Sequence, residues 1–296
     1  MQGALLGRMN AWIAFSTQRQ LIKWRFRKNL GYYGNFENPR TYQEKLQFRK
    51  LYGNHAFYAL VADKFRVRDY VAERAGREFL IPLLGVYDRL DHSDFESLPQ
   101  QFIIKANHGC KWHQVVRDKS GLDVDATVQR FNRLMRKQFG FRSGERHYSF
   151  IEPRIVIEEL LQGVGVDQLP WDYSFFCYNG PAGFDYNFSV VDPGGSGASF
   201  DKSWHLLESH LDEARLAPHL QPANFDAMVQ VAQRLSADFD FVRVDLYNVR
   251  GRVYFGELTC TPAQGFGRIL DERRQRMRDE MWHLAAANPL LYRPPK

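Results

Sequence analysis

The segment FVRVDLYNVRGRVYFGEL, residues 241–258, holds Arg243, Asp245 and Glu257 within a short stretch of hairpin character. Two carboxylates on neighbouring strands can share a hard cation. Mg²⁺ is the natural candidate, because it takes oxygen ligands and usually shares them with nucleotide phosphates. An arginine beside them can bind a phosphoryl group as charge builds up on it. Whether the three side chains meet depends on strand register. The interior Val249-Arg250-Gly251 predicts a three-residue turn with a bulge at Gly251, a residue free to take positive φ. That turn pairs Asn248 with Arg252, Arg243 with Glu257 and Asp245 with Phe255. Arg243, Asp245 and Glu257 then share one face, with Asp245 and Glu257 diagonal at roughly 7–8 Å. Val242, Val244, Leu246, Tyr254 and Leu258 make the opposite, core face. A two- or four-residue turn would carry Glu257 to the other face and dissolve the site. The competing reading is an ordinary hairpin with solvated charges and an Arg243–Glu257 cross-strand pair.

A second candidate is FIIKANHGCKWHQVV, an apolar strand that ends in Lys105 and runs through Asn107, His108 and Gly109 into another apolar stretch. A strand, a small loop and a strand can lay backbone N–H groups over phosphates. The chain has neither GxxxxGK[ST] nor GxGxxG. Lys105 within an apolar strand needs an anionic partner if buried. On an edge strand it would snorkel to water instead. His108 and His113 read equally well as polar loop residues. Lys64, in ADKFRVRDY, is expected on a helix and carries no signal of its own.

The elements that must position these residues are mixed. Residues 11–28 carry Trp12, Ile13, Phe15, Leu21, Ile22, Trp24 and Phe26 among basic residues, an amphipathic helical pattern. Thr41 and Glu44 fit a capping box, and helices are expected over about 42–51 and 56–75. Strands are expected in 79–88, 98–105, 153–161 and 172–180, and a loop at Gly194–Gly197. Helices are expected over 123–139, 224–238 and 271–287. Strand–helix mixing with antiparallel hairpins favours an α+β or α/β enzyme with more than one small sheet.

Composition bounds the reading. The 296 residues are 44% hydrophobic and 25% charged, ordinary globular values that argue against wholesale disorder. No apolar run approaches the roughly 18–20 residues of a membrane span. The first residues lack a basic start, and Arg8 and Asn10 interrupt their apolar run, so no signal peptide is expected. Cys110, Cys177 and Cys260 are far apart and unpaired by CxxC spacing, which excludes a disulfide framework and a zinc ribbon and favours a reducing cytoplasm. The net charge is +6, but residues 1–50 hold ten Lys/Arg against two acids, a local +8, leaving the remainder at about −2. That segment suits an anionic polymer or membrane surface, and equally a solvated helix face.

In order, the chain reads DK, FIIKANHG, VIEELL, DYSFFCYNG and VRVDLY…FGELTCTPAQGFG. This resembles the ATP-grasp superfamily and, more closely, the TupA-like ATP-grasp proteins associated with teichuronopeptide and other bacterial surface polysaccharides. The resemblance runs from about 38 to 270, and K-x-N-H-G with V-R-V-D-L-Y…F-G-E-L-T-x-T-P is its most specific part. It implies an α+β (α/β) ATP-grasp fold: a short, mainly helical N-terminal segment (1–62), a lid subdomain (63–160) and a C-terminal subdomain with the metal site (161–296). It further implies ATP and Mg²⁺ as cofactors. Lys64 and Lys105 would bind phosphates, and Asn107, His108 and Gly109 would begin the phosphate loop. The backbone of Glu158, Glu159, Leu160 and Leu161 would meet the adenine edge. Asp245 and Glu257, with Thr259 as a weaker ligand, would hold the metal, and Arg243 with Lys105 would be catalytic. Thr259 stands where many ATP-grasp enzymes have Asn, and Ser174 where relatives often have a basic residue.

The function so implied is ADP-forming carboxylate–amine ligation through an acyl phosphate, on a surface polysaccharide or its precursor. The partners would be ATP, a carboxylate acceptor that a uronic-acid polymer would suit, and an amine donor, with Gln264–Arg268 near the acceptor. Nucleic acid is not expected. Localisation would be cytoplasmic, with peripheral contact of 11–28 at the inner membrane face. A kinase acting on a glycan hydroxyl, or a non-catalytic polyanion-binding module using Trp24, Arg25, Phe26, Tyr32 and Tyr33, are the alternatives.

Overall fold

A computed structural model describes residues 2–163 and 169–293, with backbone alone for 2–15 and Pro218. The helices are α1 (Gln2–Leu30), α2 (Tyr42–Tyr52), α3 (His55–Ala62), α4 (Val67–Arg74), α5 (Val124–Leu134), α6 (Glu213–Leu216), α7 (Phe225–Ser236) and α8 (Glu272–Met281). The strands are β1 (Leu83–Tyr87), β2 (Phe102–Ala106), β3 (His113–Val116), β4 (Ile155–Glu159), β5 (Asp172–Gly180), β6 (Gly183–Val191), β7 (Gly197–Asp201), β8 (Leu206–Ser209), β9 (Phe241–Val249) and β10 (Arg252–Thr259).

They form two antiparallel sheets, ordered β1-β4-β2-β3 and β10-β9-β5-β6-β7-β8. Each sheet has its own apolar face. In the smaller one, alternation puts Phe102 and Ile104 of β2 and Ile155 and Ile157 of β4 against Phe131 and Leu134 of α5. Ile103, Lys105 and Glu158 fall on the other face. In the larger one, Phe175, Cys177, Val242, Val244 and Leu246 pack with Met228, Val231 and Leu235 of α7. The same core takes in Ile22, Phe26 and Phe36 from the basic N-terminal stretch and Tyr58, Val61 and Val71 from α3 and α4.

Most expected elements are present, with informative differences. Thr41 and Glu44 make the capping box. The single helix expected over 56–75 is two, because the Asp63 carboxylate accepts from Phe65 and Arg66 N–H and stops α3. Lys64 therefore sits in a turn rather than on a helix. β6, β7 and β8 were not legible as strands; of the expected loop, Gly194 to Ser196 lie in the β6–β7 turn and Gly197 opens β7. β2 is an inner strand, which removes the edge-strand reading of Lys105. α1 is longer than the 11–28 pattern. Of that pattern, Ile22 and Phe26 are fully buried and Trp24 is exposed, while the side chains of Trp12, Ile13 and Phe15 lie outside the described residues.

All eleven residues of α2 are buried, polar ones included. Arg49 donates to Asp240 Oδ1, just ahead of β9, and to the Cys260 carbonyl at 2.9 Å. Asp240 also accepts from Tyr292 Oη at 2.8 Å and Ala285 N at 2.9 Å. The pair is almost wholly desolvated, with side chains 0% and 1% exposed. Removing one partner of such a pair strands the other. Asp240→Ala should lower unfolding free energy by about 3–5 kcal/mol; a loss under about 1 kcal/mol in urea unfolding would mean that the pair is structurally idle.

Candidate active site

The hairpin that carries the acids differs from the expected one. Arg250 and Gly251 have φ of 53° and 79°, and Val249 pairs with Arg252, so the turn has two residues, not three. Tyr254 faces Tyr247, outside the core, and Val253 and Phe255 take the core positions instead. On a continuous ladder this turn would place Glu257 in the core. A bulge between Phe255 and Glu257 absorbs Gly256 and shifts the register. Glu257 therefore lies directly opposite Asp245, not diagonal to it, and Arg243 lies opposite Thr259, not Glu257. A Cβ at Gly256 would lie 3.0 Å from the Asp245 carbonyl oxygen, so a side chain there would have to push the neighbouring strand back by a few tenths of an ångström.

Arg243 bridges the acids. Its Nε donates to Asp245 Oδ1 at 2.8 Å, and Nη2 donates to Glu257 Oε1 at 2.9 Å and Thr259 Oγ1 at 3.1 Å. Thr259 Oγ1 donates to Glu257 Oε1 at 2.9 Å. On the adjacent strand, Ser174 stands opposite Asp245 and Asp172 opposite Tyr247. Burial pushes Asp245 up to about 6 despite Arg243, with Glu257 adding to the rise. Burial, Asp245 and Glu257 push Asp172 up to about 7. Glu257 goes the other way: burial opposes ionisation, but Arg243 and Lys64 outweigh it and hold its pKa below the usual value. Three carboxylates here face one guanidinium; burial is the main cause of both raised values, and the neighbouring acids add to it. Hard oxygen donors with surplus charge fit a divalent cation. Among the described residues no group of three or more His, Cys, Asp or Glu is arranged to hold a metal, so a cation here would complete its shell with ligand oxygens.

These residues form one wall of a cleft of about 460 Å³ between the two sheets. The facing wall is cationic. Lys105 Nζ and Arg68 Nη1 each donate to Glu158, both at 2.7 Å, one to each carboxylate oxygen. Lys64 Nζ donates to the Gly109 carbonyl at 2.7 Å, and burial lowers its pKa. The far end is apolar, with Ile81, Ile103, Val115, Leu160, Leu161 and Leu169. A smaller cavity of about 280 Å³ adjoins it, sharing Lys64, Arg243 and Glu257 and walled further by Glu145, Tyr148, Thr259, Thr261 and Gln264.

Of the thirteen residues expected at the site, Lys64, Lys105, Glu158, Glu159, Leu160, Leu161, Arg243, Asp245 and Glu257 line the cleft. Thr259 lines the adjoining cavity. Asn107 and His108 do not line either one. Asn107 Nδ2 donates to Asp63 at 2.8 Å, its Oδ1 accepts from Arg154 N at 2.7 Å, and His108 Nε2 lies 3.2 Å from the Lys137 carbonyl. Gly109 is required by packing, since a Cβ there would lie 2.3 Å from the Trp112 ring. The loop meets the cleft through Cys110, Lys111 and Trp112 instead. Glu158 was expected to act through its backbone, yet its buried side chain anchors Lys105 and Arg68. Arg68 and Asp172 escaped the sequence reading. Arg68 had a usable signal, four residues after Lys64 on the expected helix; an Asp opening a strand has none.

A model of the TupA-like ATP-grasp family matches residues 44–281. Among solved structures, D-alanine–D-alanine ligase from Helicobacter pylori aligns at 15% identity and a TM-score of 0.42, over 76% of this chain and 61% of that one. D-alanine–D-alanine ligase from Bacillus anthracis aligns at 13% and 0.44, over 80% and 71%. Phosphoribosylamine–glycine ligase from Thermotoga maritima aligns at 13% and 0.43, over 71% and 50%. The chain thus spans about three fifths of the Helicobacter pylori ligase and half of the Thermotoga maritima one. No curated protein matches the chain by sequence.

The acid excess has a measurable consequence. Between 3.8 and about 7 the folded protein holds a proton on Asp172 that the unfolded chain has released, so folding stability falls as pH rises through that window. Asn cannot titrate. Without metal, Asp172→Asn should be more stable than wild type at pH 8 by on the order of 1–2 kcal/mol, with the gain shrinking toward pH 4. Equal melting temperatures at pH 8 would refute the charge excess.

Proposed function

The chain belongs to the TupA-like ATP-grasp family, and from that premise we propose that it is an ATP- and Mg²⁺-dependent ligase joining a carboxylate to an amine. The observation that carries the reading is the opposition across one cleft of Asp245 and Glu257, bridged by Arg243, to Lys64 and Lys105. Asp245 and Glu257 are the residues that would hold Mg²⁺, with Thr259 beside Glu257. The ion, when bound, neutralises phosphate charge and orients the β- and γ-phosphates.

The protein's own groups divide the remaining work. Lys64 and Lys105 take up phosphate charge, and with nucleotide bound they exchange the Gly109 carbonyl and Glu158 for phosphate oxygens. Arg243, between the two carboxylates, would stabilise the charge on the transferring γ-phosphoryl group. The apolar end beside Leu160 and Leu161 receives adenine, against the backbone that follows β4. Phosphate contacts of the β2–β3 loop fall to Cys110–Trp112, while Asn107 and His108 hold the loop's shape. A substrate carboxylate oxygen attacks the γ-phosphorus and ADP leaves. The amine nitrogen then attacks the acyl carbon, and phosphate leaves with the bonding pair of the C–O bond. No side-chain nucleophile is needed. The smaller cavity, contiguous with Arg243 and Glu257, receives the acceptor, and a uronic-acid-bearing polysaccharide precursor is the proposed carboxylate.

Thermal melts with a non-hydrolysable ATP analogue test the nucleotide site. At about 100 times its dissociation constant the ligand should add about 2.7 kcal/mol in the presence of Mg²⁺. Asp245→Asn should lose the Mg²⁺-dependent part of the shift. No shift of the wild type at millimolar analogue would overturn the reading. Products then separate ligase from kinase: ligation needs carboxylate and amine together and frees phosphate, whereas a kinase leaves phosphate on the acceptor.

A further inference from the structure

The C-terminal half of α1 turns Ile22 and Phe26 inward, both fully buried, and leaves Trp24 60% exposed. On the outer side two cations lie over aromatic rings. Lys28 Nζ is 5.0 Å from the centre of the Trp24 ring, and the Arg27 guanidinium is 4.1 Å from that of Tyr33, itself 73% exposed. Two other segments dock against the same half-helix. Gln18 Nε2 donates to the Gly144 carbonyl at 3.1 Å, Arg25 donates to the Arg142 carbonyl, and Arg268 donates to the Asn29 carbonyl. Next to these contacts in the chain stand Phe141, one residue before Arg142 and 80% exposed, and Leu270, two residues after Arg268 and 74% exposed.

One region of surface thus combines large apolar side chains with closely spaced cations. Scattered exposed hydrophobics need no explanation, but this cluster lies on a stretch, residues 16–30, that carries Arg19, Lys23, Arg25, Arg27 and Lys28 and no acid. The helix backbone also runs through residues 2–15, where the sequence has Arg8 as its one charged residue. Among the described residues no helix is long and apolar enough to cross a membrane. A helix lying in the interfacial plane needs what α1 and its flanks supply: apolar residues for the acyl boundary and Lys/Arg for anionic headgroups.

We propose that α1, with Phe141 and Leu270 from the segments docked against it, binds the surface of an anionic lipid bilayer. A soluble polyanion would pair with the cations and stack on the rings, but it gives the exposed Leu270 nothing to do. Hydrocarbon and headgroup together use all of them. The stretches that bear Phe141 and Leu270 are continuous with residues that wall the smaller cavity, Phe139 and Glu145 on one side, Ala263 and Gln264 on the other. The lipid-binding face stands independently of the ligase reading, because it involves none of the cleft residues.

Flotation of the full chain with vesicles tests it, using phosphatidylcholine alone and phosphatidylcholine mixed with phosphatidylglycerol. The chain should float with the mixed vesicles, weakly with the neutral ones, and less as salt rises. Reversing two charges in Arg27→Glu with Lys28→Glu should weaken binding to mixed vesicles about 100-fold or more. Trp24→Ala with Leu270→Ser should weaken it about tenfold while leaving nucleotide-induced stabilisation intact. A wild-type chain that stays with the solvent, or variants that float as it does, would overturn the proposal. Capture on immobilised polyglutamate without flotation would overturn it too, in favour of a soluble polyanion.

Discussion

Strand residues alternate sides, so a shift of one residue in the β9–β10 ladder moves every side chain beyond it to the opposite face. The site rests on that constraint. A two-residue turn at Arg250-Gly251 keeps the hairpin tight but would point Glu257 at the core. The bulge at Gly256 cancels the offset after Phe255, so that Phe255 and Leu258 can both be buried while Glu257 faces Asp245. Asp245 has an acidic partner, Arg243 has two carboxylates to bridge, and Thr259 reaches Glu257 because of that one absorbed residue. The close approach of Gly256 to the Asp245 carbonyl favours a residue without a side chain at the bulge.

The cleft's charges are satisfied only provisionally. Arg243 neutralises carboxylates suited to a cation, Glu158 holds two cations suited to phosphate, and Lys64 rests on a backbone carbonyl. A buried charge left unpaired is costly, so an empty site needs such internal partners to stay folded. On the proposed function, a bound nucleotide would exchange these partners rather than create charge pairs afresh. The cost of desolvating Lys64, Lys105 and Arg243 has already been met in folding, which leaves more of their attraction for the phosphates. Asp172 and Asp245 are where burial is least offset, and both are pushed up by it, with neighbouring acids adding to the rise.

What the sequence made legible follows from the range of the interactions. Local rules read the Thr41–Glu44 capping box, the amphipathic α5 and α7, and the apolar alternation of β2, β4 and β9, because neighbours in the chain decide them. The motif order DK, KANHG, DYS, VRVDLY and FGELTCT led to the family through the chemistry of its charged residues. The register of β9–β10 was misread because turn length and bulge compensate, and only their combined effect on Glu257 is constrained. Asn107 and His108 were misplaced because a conspicuous loop motif does not reveal whether its side chains point out to a ligand or inward to Asp63, Arg154 and Lys137. Arg68 and the buried side chain of Glu158 were missed for a related reason. Their partnership spans ninety residues, and nothing local announces it.

The least legible part is α2, a fully buried helix whose sequence, YQEKLQFRKLY, reads as a solvated surface. Its long polar side chains act as ties. Lys45 Nζ donates to the carbonyls of Asp279 and Trp282, Gln47 to that of Gly265, and Lys50 Nζ to those of Ser143 and Gln264. Burial pushes the Lys50 ammonium down to about 7, so this arrangement is not the cheapest way to fill a core. Apolar residues of similar volume would often be as stable or more so. What they could not do is hold backbone carbonyls from three distant segments at fixed positions. Two of those segments, 143–145 and 264–265, form or adjoin the wall of the smaller cavity, where Ala263 and Gln264 adopt φ of 48° and 58°. Strained backbone persists only where surrounding contacts over-determine it, and here those contacts come from α2. The polar core helix is thus part of the same design as the bulge: stability is spent to place a few groups beside Arg243 and Glu257.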